Sequence, residues 1–353
     1  MRLQLVPDND AEAALLARGE VPEPFYATWM GLACSHALIA AVELGLFDRL
    51  AEGSRTASEL AETVSRDVHG LTVLLEALAG FEVLAREGER FALTPMAMRW
   101  LVQGSPACLT WSISLGVDID RQLAHLVPAL RSGVEGFHKS GDVDCWARYL
   151  ALLNGSAAYG ALALVEALEF ATPPGRMLDV AGGPGRYSAA LCGRYPELTS
   201  DIYELPEPAR EGAARLQQEG LAGRVRYHVG DVFERRWPEG EYDLVLVSHF
   251  LHCLREQQAR EVVRRAAKAL RPGGLLVIHD VYCPDPQEPL RADAATFSLV
   301  YYATTGGRTW PPSTYASWAA AAGLAEFRWR RVSLSGVLCE STRPPDGGPG
   351  VVD

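Results

Sequence analysis

The chain has 353 residues, 48% of them hydrophobic and 22% charged, with a formal net charge of -11. That length accommodates two domains, each able to bury its own core, and the composition is that of an ordinary globular protein. The acidic balance argues against nucleic acid or an anionic membrane surface as a partner, because both are polyanions, and favours a small molecule.

Met1 to Pro24 mixes polar and apolar residues around Asp8, Asp10, Glu12, Glu20 and Glu23, without a basic start or an apolar core, so no signal peptide is read. Nor is any long uncharged apolar run read as a membrane span. The seven cysteines show no CxxC spacing and read as reduced thiols of a cytoplasmic protein, neither a disulfide frame nor a zinc site.

In chain order, the first half reads as helical. Trp29 to Leu50 carries small and apolar residues with few charges, and Thr56 with Glu59 offers a capping box at the next helix start. A helix over Asp67 to Leu78 leads into Phe81 to Thr94, which reads as a hairpin turning at Glu87 to Glu89. Three helices and a hairpin suggest a winged-helix module. Its second and third helices carry Glu59, Glu62, Asp67 and Glu76 against few bases, which favours packing or dimerisation over DNA binding. From Met96 to about Phe170 the pattern is helical again, with Trp100, Trp111, Trp146, Tyr149 and Tyr159 interspersed. Each alone reads as packing, but as a group they could line a pocket for a planar substrate.

Ala171-Thr172-Pro173-Pro174-Gly175 breaks the helix and opens a second domain. Strands are expected near Arg176 to Ala181, Thr199 to Glu204, Val225 to Val229, Asp243 to Ser248, Leu275 to Asp280, Glu326 to Arg331 and Ser335 to Glu340. Helices starting at Gly185, Glu207, Glu256, Leu290 and Ser313 fill the gaps. The alternation implies an α/β domain with a mostly parallel, doubly wound sheet. The expected organisation is a helical domain over residues 1–170, a sheet domain over 171–341 and a loose Pro- and Gly-rich tail over 342–353.

The chemistry starts at Met177 to Gly185, an apolar run that ends in an acid and breaks into glycines before a helix. An open α/β sheet receives nucleotide-like ligands at such a turn. A dinucleotide site would need a third glycine where Arg186-Tyr187-Ser188 stands. S-adenosylmethionine (SAM) has no pyrophosphate; it needs backbone close to its amino-acid end and an acid to balance its positive charge. Asp179 with Gly182, Gly183 and Gly185 supplies both. Glu204, ending the second strand, can accept from both ribose hydroxyls. Gly230-Asp231-Val232-Phe233, ending the third, offers a carboxylate for the adenine amino group and apolar faces for the ring. Each acid alone could be a solvated turn residue; three at successive strand ends make a stronger signal.

With these motifs the chain resembles the SAM-dependent O-methyltransferases of the caffeic-acid and bacterial polyketide type. Ala40 to Asp48 is similar to an N-terminal helix of that family, Phe91 to Thr94 to the end of its winged-helix hairpin, and Leu178 to Gly185 to its DVGGGxG loop. Glu204-Leu205-Pro206 stands for Asp-Leu-Pro, Gly230 to Phe233 matches closely, and Leu270 to Gly274 is similar to the turn into the fifth strand. The resemblance implies a Rossmann-like methyltransferase domain, a winged-helix dimerisation domain and a homodimer. It also adds Leu205 and Ser248 to the cofactor residues. Ser248 to Leu254 resembles the segment with His-Asp-Trp, so His252 falls on the general-base histidine, a ring whose ordinary pKa of about 6.5 suits taking a hydroxyl proton.

The chain departs from this pattern near the base. Cys253 and Leu254 replace Asp and Trp, Asp280 stands where a glutamate steadies the histidine, and Gly307 stands where a second glutamate is expected. His249 reads as a packed or capping residue. A metal shared by His249, His252 and Cys253 rests on a weak spacing signal, and no metal is expected.

Trp29, Trp111, Phe297, Tyr301, Tyr302 and Trp310 are the candidates for the substrate pocket. The leading expectation is methyl transfer to a hydroxyl of a small aromatic secondary metabolite, with His252 as base and Asp280 as orienting acid. Methylation at carbon or nitrogen, or a non-methylating reaction assisted by SAM, is the alternative. A winged-helix DNA-binding regulator comes third.

Overall fold

The run Arg176–Val180 is buried at every position after the first, as befits a strand covered on both faces. In the computed structural model, which describes residues 5–134 and 143–345, it is the third strand, and an interior one, of a seven-stranded sheet. Ten strands occur among the described residues: β1 (Arg55–Thr56), β2 (Leu84–Glu87), β3 (Arg90–Leu93), β4 (Arg176–Val180), β5 (Thr199–Glu204), β6 (Val225–Val229), β7 (Tyr242–Ser248), β8 (Leu270–Val281), β9 (Ala325–Arg331) and β10 (Gly336–Thr342). The large sheet has the order β6-β5-β4-β7-β8-β10-β9. Strands β4 to β8 pair in parallel, and β10 runs antiparallel between β8 and β9. The order reverses between β4 and β7, where α/β sheets open a ligand crevice beyond the strand ends. The doubly wound Rossmann-like architecture expected from the sequence is the one observed.

Alternation along the strands divides the core. Leu178, Val180, Val245, Val247 and Ile278 face one layer, built with Ala259, Val262, Val263 and Ala266 of the helix Glu256–Ala269 and with Tyr315 and Trp318 of the helix Pro312–Ala321. Met177, Leu244, Leu246 and Val277 face the other, closed by Leu191 and Cys192 of the helix Arg186–Arg194 and by Ala157, Ala161 and Leu164 of the long helix Val143–Ala167. Each fully buried side chain of Leu164's size contributes about 1.5–3 kcal/mol. The long helix therefore belongs with the sheet. The chain divides into compact units between Asp120 and Arg121, inside the helix Gly116–Ala124, whereas the sequence break was placed at Ala171.

The first unit holds the helices Asp10–Ala17, Glu23–Glu43, Leu46–Ala51, Ala57–Val64, Val68–Gly80, Pro95–Trp100 and Thr110–Ser114 around the small sheet β1-β3-β2. The capping box is present: the amide of Glu59 donates to Thr56 Oγ1 at 3.2 Å, and the amide of Thr56 to Glu59 Oε2 at 2.7 Å. Leu46, Phe47, Leu60, Leu75, Leu78 and Phe91 fill its core.

One expectation needs correction. Residues 24–42 contain no Asp, Glu, Lys or Arg, and the helices Glu23–Glu43 and Cys145–Ala167 are long and apolar enough to cross a membrane by length and composition. Length and composition alone are weak evidence, since mostly buried core helices of soluble proteins pass the same test, although only 17% and 18% of these two windows are buried. Ala37, Ile39 and Ala41 of the first are buried in its own unit, and Leu164 of the second lies in the sheet core.

Candidate active site

At the end of β4 the chain turns through Ala181, Gly182, Gly183 and Pro184 into the helix Arg186–Arg194. Ala181 and Gly183 take positive φ of 54° and 57°. Gly182 is demanded by close approach: a Cβ there would lie 2.6 Å from Asp179 Cγ and 2.8 Å from Ile202 Cγ2. The loop is tied to its neighbours. The amide of Gly183 donates to Glu204 Oε2 at 2.7 Å, and the Tyr227 hydroxyl donates to the Gly183 carbonyl at 3.0 Å.

Beside this loop lies a cavity of about 650 Å3. Of the residues expected at a cofactor site, Gly182, Gly183, Glu204, Leu205, Asp231, Val232, Phe233 and Ser248 are on its wall. Gly185 instead starts the helix at φ 74°, against Tyr227 and Ile202. Asp179 is buried beneath the loop. Its Oδ2 accepts from Ser188 Oγ at 2.6 Å, while Oδ1 is buried without a hydrogen-bond partner among the described residues. Burial pushes Asp179 up to about 6, with Ser188 opposing.

Glu204 accepts from the amides of Gly183 and Leu205, the latter at 2.6 Å. Burial nevertheless raises it to about 7, against both amides and with Asp179 adding to the rise. Asp231 is exposed, its Oδ1 accepting from the Phe233 amide at 2.8 Å, and Val232 beside it is buried.

Strand β7 ends at Ser248, whose hydroxyl meets His279 Nδ1 at 3.1 Å. The chain then passes through His249, with φ 51°, into the one-turn helix Leu251–Cys253. His252 is 5% exposed, and its Nδ1 hydrogen bonds Asp280 Oδ1. Asp280, 1% exposed near the end of β8, also accepts from the Val281 amide at 2.7 Å and from the Tyr315 hydroxyl at 3.1 Å. A carboxylate only accepts, so Nδ1 carries the hydrogen and Nε2 is the nitrogen left for other partners. Burial works against the charged ring, but the carboxylate of Asp280, with Cys253, outweighs it and raises His252. Burial likewise opposes ionisation of Asp280, and His252 overcomes it, holding Asp280 below the usual carboxylate range. The shorter acid thus reaches the ring.

No carboxylate replaces the second glutamate at Gly307. A Cβ there would lie 2.1 Å from the His252 carbonyl oxygen and 2.6 Å from the Cys253 carbonyl carbon, so the backbone itself fills the space. Tyr301 instead stacks on His252, centroids 3.8 Å apart and planes 18° from parallel.

The six residues expected to contact substrate scatter. Tyr301 covers His252, and Phe297 stacks on Tyr301 at 6.2 Å. The Tyr302 hydroxyl donates to the Ala129 carbonyl at 3.1 Å. Trp310 is core: 8% exposed, it packs on Trp318 and donates to the Leu251 carbonyl at 3.1 Å, bracing the turn before His252. Trp29 and Trp111 lie in the first unit, Trp29 61% exposed and Trp111 donating to the Cys108 carbonyl at 2.8 Å. None of the six is on the cavity wall, where Trp146, Tyr149, Arg186, Tyr187, His249 and Cys253 stand instead. The spacing of Trp146, Tyr149 and Leu153 along one helical face is the signal that points to the first two.

Residues 137–325 match the O-methyltransferase domain, and residues 27–103 match the O-methyltransferase dimerisation domain. The chain belongs to the O-methyltransferase family. It is therefore a SAM-dependent O-methyltransferase that acts on small molecules. Over 317 residues it is 26% identical to the 3-hydroxy-5-methyl-1-naphthoate 3-O-methyltransferase of Streptomyces sahachiroi, covering 87% of this chain and 90% of the relative. It is 30% identical to the N,N-dimethyltransferase OxyT of Streptomyces rimosus, covering 69% of this chain and 74% of that one. The structure of an O-methyltransferase family protein from Burkholderia thailandensis superposes with a TM-score of 0.80 at 26% identity, covering 92% of this chain and 99% of the other.

The residues present fit SAM as the methyl donor. The loop leaves no room for a side chain at Gly182, a buried carboxylate oxygen of Asp179 lacks a partner, and the wall pairs the acid Glu204 with apolar Val232 and Phe233.

Proposed function

We propose that this methyltransferase acts on a hydroxyl of a small aromatic secondary metabolite, with His252 as general base and Asp280 as its orienting acid. The observation that carries this reading is the buried hydrogen bond from His252 Nδ1 to Asp280; His252 itself is not on the cavity wall, but its chain neighbour Cys253 is.

In this reading the backbone of Gly182 and Gly183 cradles the amino-acid end of SAM, Gly185 lets the loop turn into its helix, and Asp179 balances the charge from beneath the loop. Glu204, with Leu205 beside it, accepts from the ribose hydroxyls. Asp231 takes the adenine amino group while Val232 and Phe233 cover the ring, and Ser248 closes the inner end. When bound, SAM supplies an electrophilic methyl group on its sulfonium.

Asp280 holds the ring of His252 through Nδ1, so that in the deprotonated form, favoured only as pH approaches the raised value of about 10, Nε2 receives the hydroxyl proton, and the Tyr301 face holds the ring in orientation. The dimerisation domain supports a homodimer, and the exposed Phe25, Tyr26, Trp29, Met30 and Leu32 offer it an apolar face. The acidic charge speaks against nucleic acid or an anionic membrane surface as a partner, and the free cysteines suit a cytoplasmic enzyme.

Likeness to OxyT favours a second reading, in which the acceptor atom is nitrogen. Incubation with methyl-labelled SAM and matched panels of phenols and aromatic amines, read by product mass and by NMR of the new methyl, separates the two. Methylated phenols are expected from the wild type, and a loss of about 10²–10⁴-fold in kcat from His252→Ala. Full turnover in that variant with SAM binding intact sinks the base assignment.

A further inference from the structure

We propose that His249 is the proton exit of this site, a relay residue that carries the proton collected by His252 out to the cavity through one bridging water. The inference rests on the reading of His252 as the base. One proton is released per methyl transferred, because the acceptor gives up its hydrogen and the donor sheds its positive charge. A histidine that keeps that proton cannot act again.

The problem is built into the geometry. His252 is buried, one face is covered by Tyr301, and its Nδ1 is committed to Asp280. Such an imidazolium is well stabilised and slow to let go.

His249 stands where a way out is needed. It is on the cavity wall, three residues before His252, and its ring centroid lies 5.9 Å from that of His252. One ligating atom each from His249, His252 and Asp280 lie within 4.8 Å of one another. The two rings are thus close enough for a nitrogen of each to share a single water through hydrogen bonds of about 2.8 Å.

The backbone holds the ring there. His249 takes φ 51°, uncommon for a side chain with a Cβ, and its amide donates to the His279 carbonyl at 2.8 Å. A strained conformation kept by a cross-strand hydrogen bond is a feature to explain by function.

The surroundings suit a carrier. The titratable groups about the ring are Tyr187 on the helix Arg186–Arg194, centroid 6.3 Å away, His279 on β8 at 4.7 Å, and the pair His252 and Asp280. Burial chiefly lowers His249 to about 4, the Asp280 carboxylate opposing and the His252 charge reinforcing. His279, which contacts it, is lowered to about 3 by burial and by His249. His249 is therefore neutral at rest, and because transfer from the raised His252 runs uphill it holds the proton only in passing.

The test is His249→Asn. Asn tolerates positive φ better than most residues and does not titrate. With SAM already bound, single-turnover methyl transfer should stay within about twofold of wild type, and the SAM Kd should not change. Steady-state kcat at neutral pH should fall about tenfold, short of the loss that removing a general base causes. Added imidazole should restore it in proportion to concentration, while leaving the wild type unaffected.

Unchanged kcat that is indifferent to imidazole overturns the relay. Loss of single-turnover transfer with SAM binding intact also overturns it, by making His249 the group that touches the acceptor. Failure of the base assignment shows separately in His252→Ala.

Discussion

Replacing Asp280 with Asn tests the buried pair most directly. The substitution keeps the shape and leaves acceptors and donors for the Val281 amide and the Tyr315 hydroxyl, so the local fold should survive. It removes the charge that holds His252 up. Breaking one side of a buried ion pair typically costs about 3–5 kcal/mol. The sign of the pH dependence follows from both shifts. His252 is raised, so its share of stability is complete below the unfolded histidine pKa of about 6.5 and fades as pH rises through the folded value. Asp280 is lowered, so its share is present above the unfolded value of about 3.9 and fades as pH falls through the folded one. The gap in stability between wild type and Asp280→Asn should therefore be widest between about pH 4 and 6.5 and should narrow towards alkaline pH. Thermal melts of both proteins across pH read it directly. In parallel, the acid limb of kcat/KM should move to lower pH in the variant, while the plateau drops by about 10²-fold or more as the ring loses its orienting partner. A stability gap that is flat in pH, or that widens with rising pH, refutes the assignment of a charged pair.

Three further substitutions, one of them a control, probe the histidine turn and the cofactor side of the cavity. Gly307→Ala should lower kcat by tenfold or more and cost about 1–3 kcal/mol in a thermal melt, because its Cβ must displace the turn that carries His252. Gly193→Ala, where the added Cβ meets nothing within 4 Å, is the control and should be neutral or slightly stabilising. Glu204→Gln should raise the SAM Kd by about 10–100-fold, the worth of a charged acceptor at the ribose. Wild-type SAM affinity should also weaken as pH falls below about 7, where Glu204 takes up a proton, and that slope should vanish in the variant, as isothermal titration would show.

The strands that position the site were legible because burial on both faces makes them continuous apolar runs between turn residues. Strand β5 and β6 bounds agree with the sequence reading. Strand β8 starts earlier than expected, since Pro272, Gly273 and Gly274 read as a turn, yet Gly273 and Gly274 exchange backbone hydrogen bonds with Arg343. The glycine loop, Glu204, Asp231 and His252 were readable from local chemistry and family pattern. The acceptor side was not. Whether Trp310 faces a ligand or the core depends on how the next helix brings Trp318 back onto it and on the Leu251 carbonyl, which is distant in sequence. His249 looked like a capping residue because its φ and its bond to β8 leave no local trace.

The close approach at Gly307 also bears on what this enzyme can become. An ancestor or a designer wishing to reinstate an acidic residue at that position has no single-step route, since even a methyl group collides with main-chain atoms of the neighbouring turn. The turn and the glycine have to change together. Changes of acceptor range are thereby channelled towards the other residues of the cavity wall, such as Trp146 and Tyr149 on the long helix.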